Sequence, residues 1–297
     1  MITIVIRNID RVRLYQSYGP YPESQGFTSA LVTADQHIDS WGLEKKSSKY
    51  CTTFAKRLGI GASSTSIAVK FFPVHLKSGI AIDFTPKKLT DEHWDCFRSM
   101  LDKLFDGGHQ KVFDDFKVTK LEVVFDVKVP FDEIICIAPG VGVENLHYLA
   151  KGTRYLGHKG GNRTYCIYDK RKQLADKVKV DLGHDRTRIE VRLRHLKKTI
   201  GEMASVKKPF GELIAIRKKS LLQLCHLYPD DKVLQTFAAD VSVGVSPHAA
   251  YLKLEKLHKK NLAARLRSGA LNLNGKAGQW ETWIEQQAKQ VIEKFHG

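Results

Sequence analysis

Apolar and polar residues alternate along several stretches of the chain, and a period of two predicts strands. Residues 118–129 show it most clearly. Leu121, Val123, Phe125 and Val127 point one way, and Glu122 and Asp126 the other. Residues 187–194 set Ile189, Val191 and Leu193 against Arg188, Glu190, Arg192 and Arg194. Segments 66–71 and 79–84 read as strands joined by a turn, with Asp83 opposite Ile80, Ile82 and Phe84. Segments 154–156 and 164–170 predict a hairpin across Lys159-Gly160-Gly161-Asn162, with Tyr168 and Lys170 on one face. Residues 1–20 give a further strand, while 24–65 are polar and weakly patterned.

The helical period enters at Thr90. This residue caps a segment in which Trp94, Phe97, Leu101 and Leu104 recur, and Gly107-Gly108 ends it. Residues 132–137 open as a short helix, and 173–180 as another. From about 196 the pattern is helical, over 196–205, 210–228, 231–239, 247–266 and 278–295. The expectation is an α+β fold: a mainly antiparallel sheet with helices on one face, then a helical C-terminal region. The corresponding domains are 1–200, carrying the chemistry, and 201–297.

Charge sharpens this picture. The chain carries a formal +16, and residues 151–220 alone hold 20 Lys and Arg against 7 Asp and Glu. Aromatic and glycine residues interleave these cations (Tyr155, Gly160, Gly161, Tyr165, Tyr168), which suits a phosphate backbone. An anionic membrane surface fits less well, because the segment reads as strands and not as one basic amphipathic helix. With 42% hydrophobic and 27% charged residues in 297, wholesale disorder is excluded. No apolar run reaches the length of a membrane span, and the apolar start is too short for a signal peptide. Five scattered cysteines without a CxxC pair read as buried free thiols in a reducing cytoplasm, not as a zinc site.

The polar rows of the strands carry three isolated acids, Asp83, Glu122 and Glu190. Taken singly, each reads as an ion pair with a neighbouring cation. Taken together on one face, they would suit a hard divalent cation such as Mg²⁺ or Mn²⁺. A tyrosine nucleophile in turn needs positive charge beside it, since a phenolate at pH 7 costs roughly 4 kcal/mol. Tyr168 has Lys170 two residues on.

The strings Arg163-Thr-Tyr-Cys-Ile-Tyr168-Asp-Lys170 and Arg186-Thr-Arg-Ile-Glu190-Val-Arg-Leu-Arg194 resemble the replication initiators of filamentous phages. These are the gene II proteins and the related rolling-circle replication initiation factors of plasmids. Upstream, Val118-Thr-Lys-Leu-Glu122 and Ile80-Ala-Ile-Asp83-Phe-Thr-Pro86 resemble two further family strands, in the same order, so the likeness covers about 66–220. It implies a metal-dependent, site-specific DNA nickase. Its tyrosine, here Tyr168, attacks a phosphodiester of the origin and becomes linked to the 5′-phosphate, and the freed 3′-OH starts rolling-circle replication. Lys170 would support that attack. Asp83, Glu122 and Glu190 would hold the metal, and Arg163, Arg188, Arg192, Arg194 and Lys159 would hold DNA. Implied partners are origin DNA, single-stranded or supercoiled, and a host helicase. The chain has no His-hydrophobic-His triplet, and Ile189 stands where plasmid relatives place a tyrosine, which leaves Tyr168 as the nucleophile. Two alternatives stay open: a non-catalytic DNA- or RNA-binding module, and a tyrosine recombinase.

Overall fold

The computed structural model describes residues 4–19, 24–58, 65–73, 78–141, 152–158, 160–206, 209–271 and 279–296. The chain runs through β1 (Ile4–Ser17), α1 (Gln25–Gln36), α2 (Ile38–Trp41), β2 (Leu43–Ser47), β3 (Thr52–Leu58), β4 (Thr65–Phe72) and β5 (Gly79–Phe84). It continues through α3 (Asp91–Leu104), α4 (Gly108–Asp115), β6 (Lys117–Val127), β7 (Ile134–Ile137), β8 (Thr153–Leu156), β9 (Arg163–Asp169), α5 (Lys170–Val178) and β10 (Thr187–Lys198). It ends in β11 (Ile214–Arg217), α6 (Lys218–Leu227), α7 (Lys232–Ser242), α8 (Pro247–Leu252), α9 (Lys256–Ser268) and α10 (Gln279–His296). Nine strands form one sheet in the order β2-β3-β4-β5-β1-β6-β10-β9-β8, and β11 pairs with β7 alone. The pairs β2–β3, β3–β4, β4–β5, β5–β1 and β8–β9 are antiparallel. This is the expected α+β class.

By internal contacts the chain divides into two compact units, each assembled from separate stretches. The first comprises Met1–Arg7, Val124–Arg192 and Lys208–Gly278; the second comprises Asn8–Val123, Leu193–Lys207 and Gln279–Gly297. The helices after residue 201 are therefore shared out, α6–α9 to the first unit and α10 to the second.

In the second unit the apolar rows of β4 and β5 are the floor of an aromatic core. Val69 pairs with Ile82 and Phe71 with Ile80, so these side chains share a face. Phe27 of α1 meets Phe71 edge-on at 5.7 Å between ring centroids. Trp94 and Phe97 of α3 meet Phe84 at 5.8 and 5.2 Å, and Phe295 of α10 closes on all three. The expected cap of α3 is present. Thr90 accepts from the His93 amide, and the Thr90 amide donates back to the His93 ring.

In the first unit, β7, β11 and α6–α9 enclose a core of their own. It is built on Ile135, Ile137, Ile214, Ile216, Phe237 and Leu266, all nearly inaccessible to solvent. Here the expected helix over 132–137 is corrected. A 3-10 turn at Phe131–Glu133 leads into β7, and all four β7 residues are buried. Three of them are isoleucines, whose branched Cβ is restricted in a helix and packs well in a strand. The same physics converts the start of the expected 210–228 helix into β11. β10 runs on to Lys198 and absorbs the start of the expected 196–205 helix, leaving a 3-10 turn at Gly201–Ser205. His195 and Lys197 both take positive φ, +54° each, within this extension. The expected 247–266 helix is broken into α8 and α9. The weakly patterned 24–65 region holds α1, α2, β2 and β3, and β2 buries only Leu43.

Candidate active site

Tyr168 is the penultimate residue of β9, and 8% of its surface is exposed. The strand stops there for a local reason. The Asp169 carboxylate accepts from the Lys172 amide at 2.9 Å and caps α5. Lys170 is therefore the first helical residue rather than a strand residue sharing a pleat face with Tyr168. It is brought close all the same. Its Nζ stands 5.9 Å from the centroid of the Tyr168 ring and donates to Gln173 Oε1 at 2.7 Å. The Lys170 amide donates to the Arg186 carbonyl at 2.8 Å, which fastens the start of α5 to the approach of β10.

The register of β8 on β9 sets Thr153 opposite Tyr168 and Tyr155 opposite Cys166. Tyr155 thus shares the Tyr168 face, one pair along. Burial raises the Tyr155 phenol above its ordinary pKa, with Cys166 and Glu190 adding to the rise and Arg192 opposing it. The Arg192 guanidinium lies 5.9 Å from the Tyr155 ring centroid, and its Nε donates to Glu190 Oε1 at 2.6 Å. Tyr155, Glu190 and Arg192 therefore form one cluster in the first unit, and Tyr168, with Lys170 beside its ring, shares the Tyr155 face. Tyr165, three residues before Tyr168, faces the other way. Its hydroxyl donates to the Phe210 carbonyl at 2.8 Å.

Arg188 occupies the same polar row of β10, but it is buried and turned to Asp126. Its Nε and Nη2 donate to the two Asp126 oxygens at 2.6 and 2.8 Å, and Asp126 is fully buried. Arg163 is exposed at the start of β9, and Arg194 is half-buried in β10. Lys159 lies outside the described residues.

The second unit holds the other two acids. Asp83 is directly opposite Arg13 of β1, which donates to both its oxygens at 2.6 and 2.8 Å, and Lys70 lies 2.7 Å away. Glu122 pairs with Lys120 at 2.5 Å. Asp83 and Glu122 both raise the pKa of Arg13, so they act on a common cation. Burial pushes the Asp83 carboxyl up, but hydrogen bonds from Arg13 and Lys70 outweigh it and leave the carboxyl below its ordinary range. This clamp contributes fully above the unfolded carboxylate value of about 3.9 and is lost as pH falls through the lower folded value. Asp83→Asn should lower stability at pH 7 and flatten the acid limb of a series of urea-unfolding midpoints taken against pH. Parallel acid limbs in the two proteins would show that another group titrates.

Each predicted acid thus has a cationic partner, the arrangement expected of them singly. Among the described residues, no three His, Cys, Asp or Glu side chains group to hold a metal ion. No protein-family model matches the chain, and no curated protein matches its sequence. The functional reading is therefore carried by residues and geometry.

Four members of these clusters escaped the sequence reading: Arg13, Lys70, Lys120 and Asp126 as the partner of Arg188. Alternation marked Asp126 as belonging to the polar row of β6. Nothing local revealed that its partner lies 62 residues on. Arg13, between buried Val12 and Leu14, was the available hint of an acid on a neighbouring strand.

Proposed function

We propose that the chain is a rolling-circle replication initiator, a site-specific single-strand DNA endonuclease that nicks a phage or plasmid origin through Tyr168 in a bacterial cytoplasm. The observation that carries this reading is the placement of Tyr168 at a capped strand end. There the Lys170 ammonium approaches its ring, and Tyr155, beside which Arg192 lies, shares its sheet face. The ordered resemblance to the phage initiators supports it. Among the described residues, no helix is long and apolar enough to cross a membrane.

The chemistry follows from these groups. The Tyr168 hydroxyl oxygen attacks the scissile phosphorus and the bond to the 3′ oxygen breaks. The phenol gives up a proton, the 3′ oxygen gains one, and a 5′-phosphotyrosine remains. One phosphodiester replaces another, so the reverse attack by the 3′-OH can reseal the strand. Lys170 would stabilise the extra negative charge of the pentacovalent phosphate. Arg163 shares the Tyr165 face of β9 and is hydrogen-bonded to Tyr165, on the side away from Tyr168; any hold it has on DNA would be on the backbone away from the reacting phosphate.

Asp83, Glu122 and Glu190, each engaged by a cationic side chain, do not fit a Mg²⁺ or Mn²⁺ site as they stand. The steps above accordingly use the chain's own side chains.

The test is direct. The protein is incubated with supercoiled DNA of its replicon in Mg²⁺, and in parallel in EDTA. Open circles and a covalent protein–DNA adduct on the 5′ side are expected in Mg²⁺. Loss of both in EDTA would require a cation on these acids or on the substrate. DNA binding without any adduct would mean a non-catalytic binder, and a 3′-linked adduct would mean a recombinase.

A further inference from the structure

The nicking chemistry makes no use of the corner formed by α8 and α9. α8 buries His248, Ala250 and Tyr251, and α9 buries Leu262, Ala263 and Leu266. Only Lys253-Leu254-Glu255 separates the two helices, and Phe237 and Ala238 of α7 pack into the same core. Two helices joined by three residues and seated on a third have the connectivity of a helix-turn-helix unit.

The outward face of α9 has an unusual composition. Residues 253–268 hold six Lys and Arg against one acid, and that acid, Glu255, precedes the helix. The two arginines near its C-terminus are engaged within the unit. Arg265 lies 4.0 Å from the Tyr228 ring centroid and 3.6 Å from Asp231, and Arg267 is 2.5 Å from Glu212. The N-terminal half instead exposes Lys256, Leu257, Lys260 and Asn261, and Leu257 is 65% exposed.

The exposed half thus carries lysines without an acid, beside one leucine and one asparagine. Base edges in the major groove call for a set of this kind. Asparagine pairs with adenine, lysine with guanine, and an apolar side chain meets the thymine methyl. The N-terminal half of the second helix is also the part that such units insert into the groove.

We infer that α9 is a recognition helix for the major groove of duplex DNA, with Lys256 and Lys260 gripping it and Asn261 reading it. The identity of that duplex as an origin rests on the proposed initiator function; the binding surface does not depend on Tyr168.

The full chain is tested on a pool of short duplexes with a randomised centre. The wild type should enrich one sequence. Asn261→Ala should lose roughly 5- to 150-fold of discrimination at one base pair of that sequence. Replacing Lys256 and Lys260 together by alanine should reduce the slope of log affinity against log salt by about 1.8. Both variants should melt as the wild type does in circular dichroism, and should keep the wild-type yield of adduct on a single-stranded oligonucleotide. A wild type that enriches no sequence overturns the inference. So does an unchanged salt slope, or equal affinity for an RNA duplex, whose deep major groove excludes a helix. Absence of any tyrosine adduct, with the α9 effects intact, would strike the nicking proposal alone.

Discussion

Tyr168→Phe should leave supercoiled DNA uncut and form no covalent adduct, while folding and DNA binding survive. The substitution removes one oxygen and keeps the ring that β9 buries. That oxygen is the only atom of the side chain able to attack phosphorus. Removing a nucleophile from an assembled site costs on the order of 10⁶-fold in rate, so nicking should fall below detection. Two neighbouring tyrosines are the controls. Tyr165→Phe removes one donor from the Phe210 carbonyl, which keeps the Leu213 amide, and should cost at most about 1 kcal/mol of stability while nicking continues. Tyr155→Phe, on the Tyr168 face, separates a shared environment from a shared role. An adduct that persists in Tyr168→Phe would refute the assignment, and peptide mapping would then begin at Tyr155.

Asp126→Ala should be among the most destabilising single changes in the first unit. It leaves the Arg188 guanidinium buried and without the carboxylate that takes two of its donors. Breaking a buried pair from one side typically costs about 3–5 kcal/mol. Replacing both partners together, Asp126→Leu with Arg188→Met, should recover most of that loss, because no charge is then stranded. Urea unfolding at neutral pH measures both. A single-mutant loss under about 1 kcal/mol would mean that water or another group takes over Arg188. The pair also gives Arg188 a meaning that its place in a basic row did not suggest. It braces the sheet from which Glu190 and Arg192 project.

The strands were legible where one face is apolar and the other is not. Glu122 and Asp126 on β6, and Arg188, Glu190 and Arg192 on β10, stand in the polar rows that alternation assigned. Alternation failed where both faces are buried. Ile134 to Ile137 show no period of two, and neither do Ile214 to Ile216, because each side of those strands meets apolar neighbours. A continuous apolar run reads equally well as helix or strand, and only β-branching favours the strand. Lys170 fell on the wrong side of a boundary because the cap at Asp169 depends on a single side chain. Partnerships were the least visible level. Arg13 finds Asp83 across 70 residues, and no pattern within either strand records it. Charge could be counted along residues 151–220, yet the sequence could not tell a lysine facing solvent from an arginine already taken by an acid.

The aromatic core of the second unit has a consequence for how the chain is made. Phe84, Trp94 and Phe97 emerge early from the ribosome, but Phe295, which covers all three, follows some two hundred residues later. Until then the nascent second unit exposes the aromatic surface that α10 will bury, while the intervening residues supply most of the first unit. Closing so distant a contact is slow, since a long loop must be ordered before any contact rewards it. The first unit can therefore finish its own core while the second is still waiting, and exposed aromatic surface of that kind is what chaperones bind and what aggregation exploits.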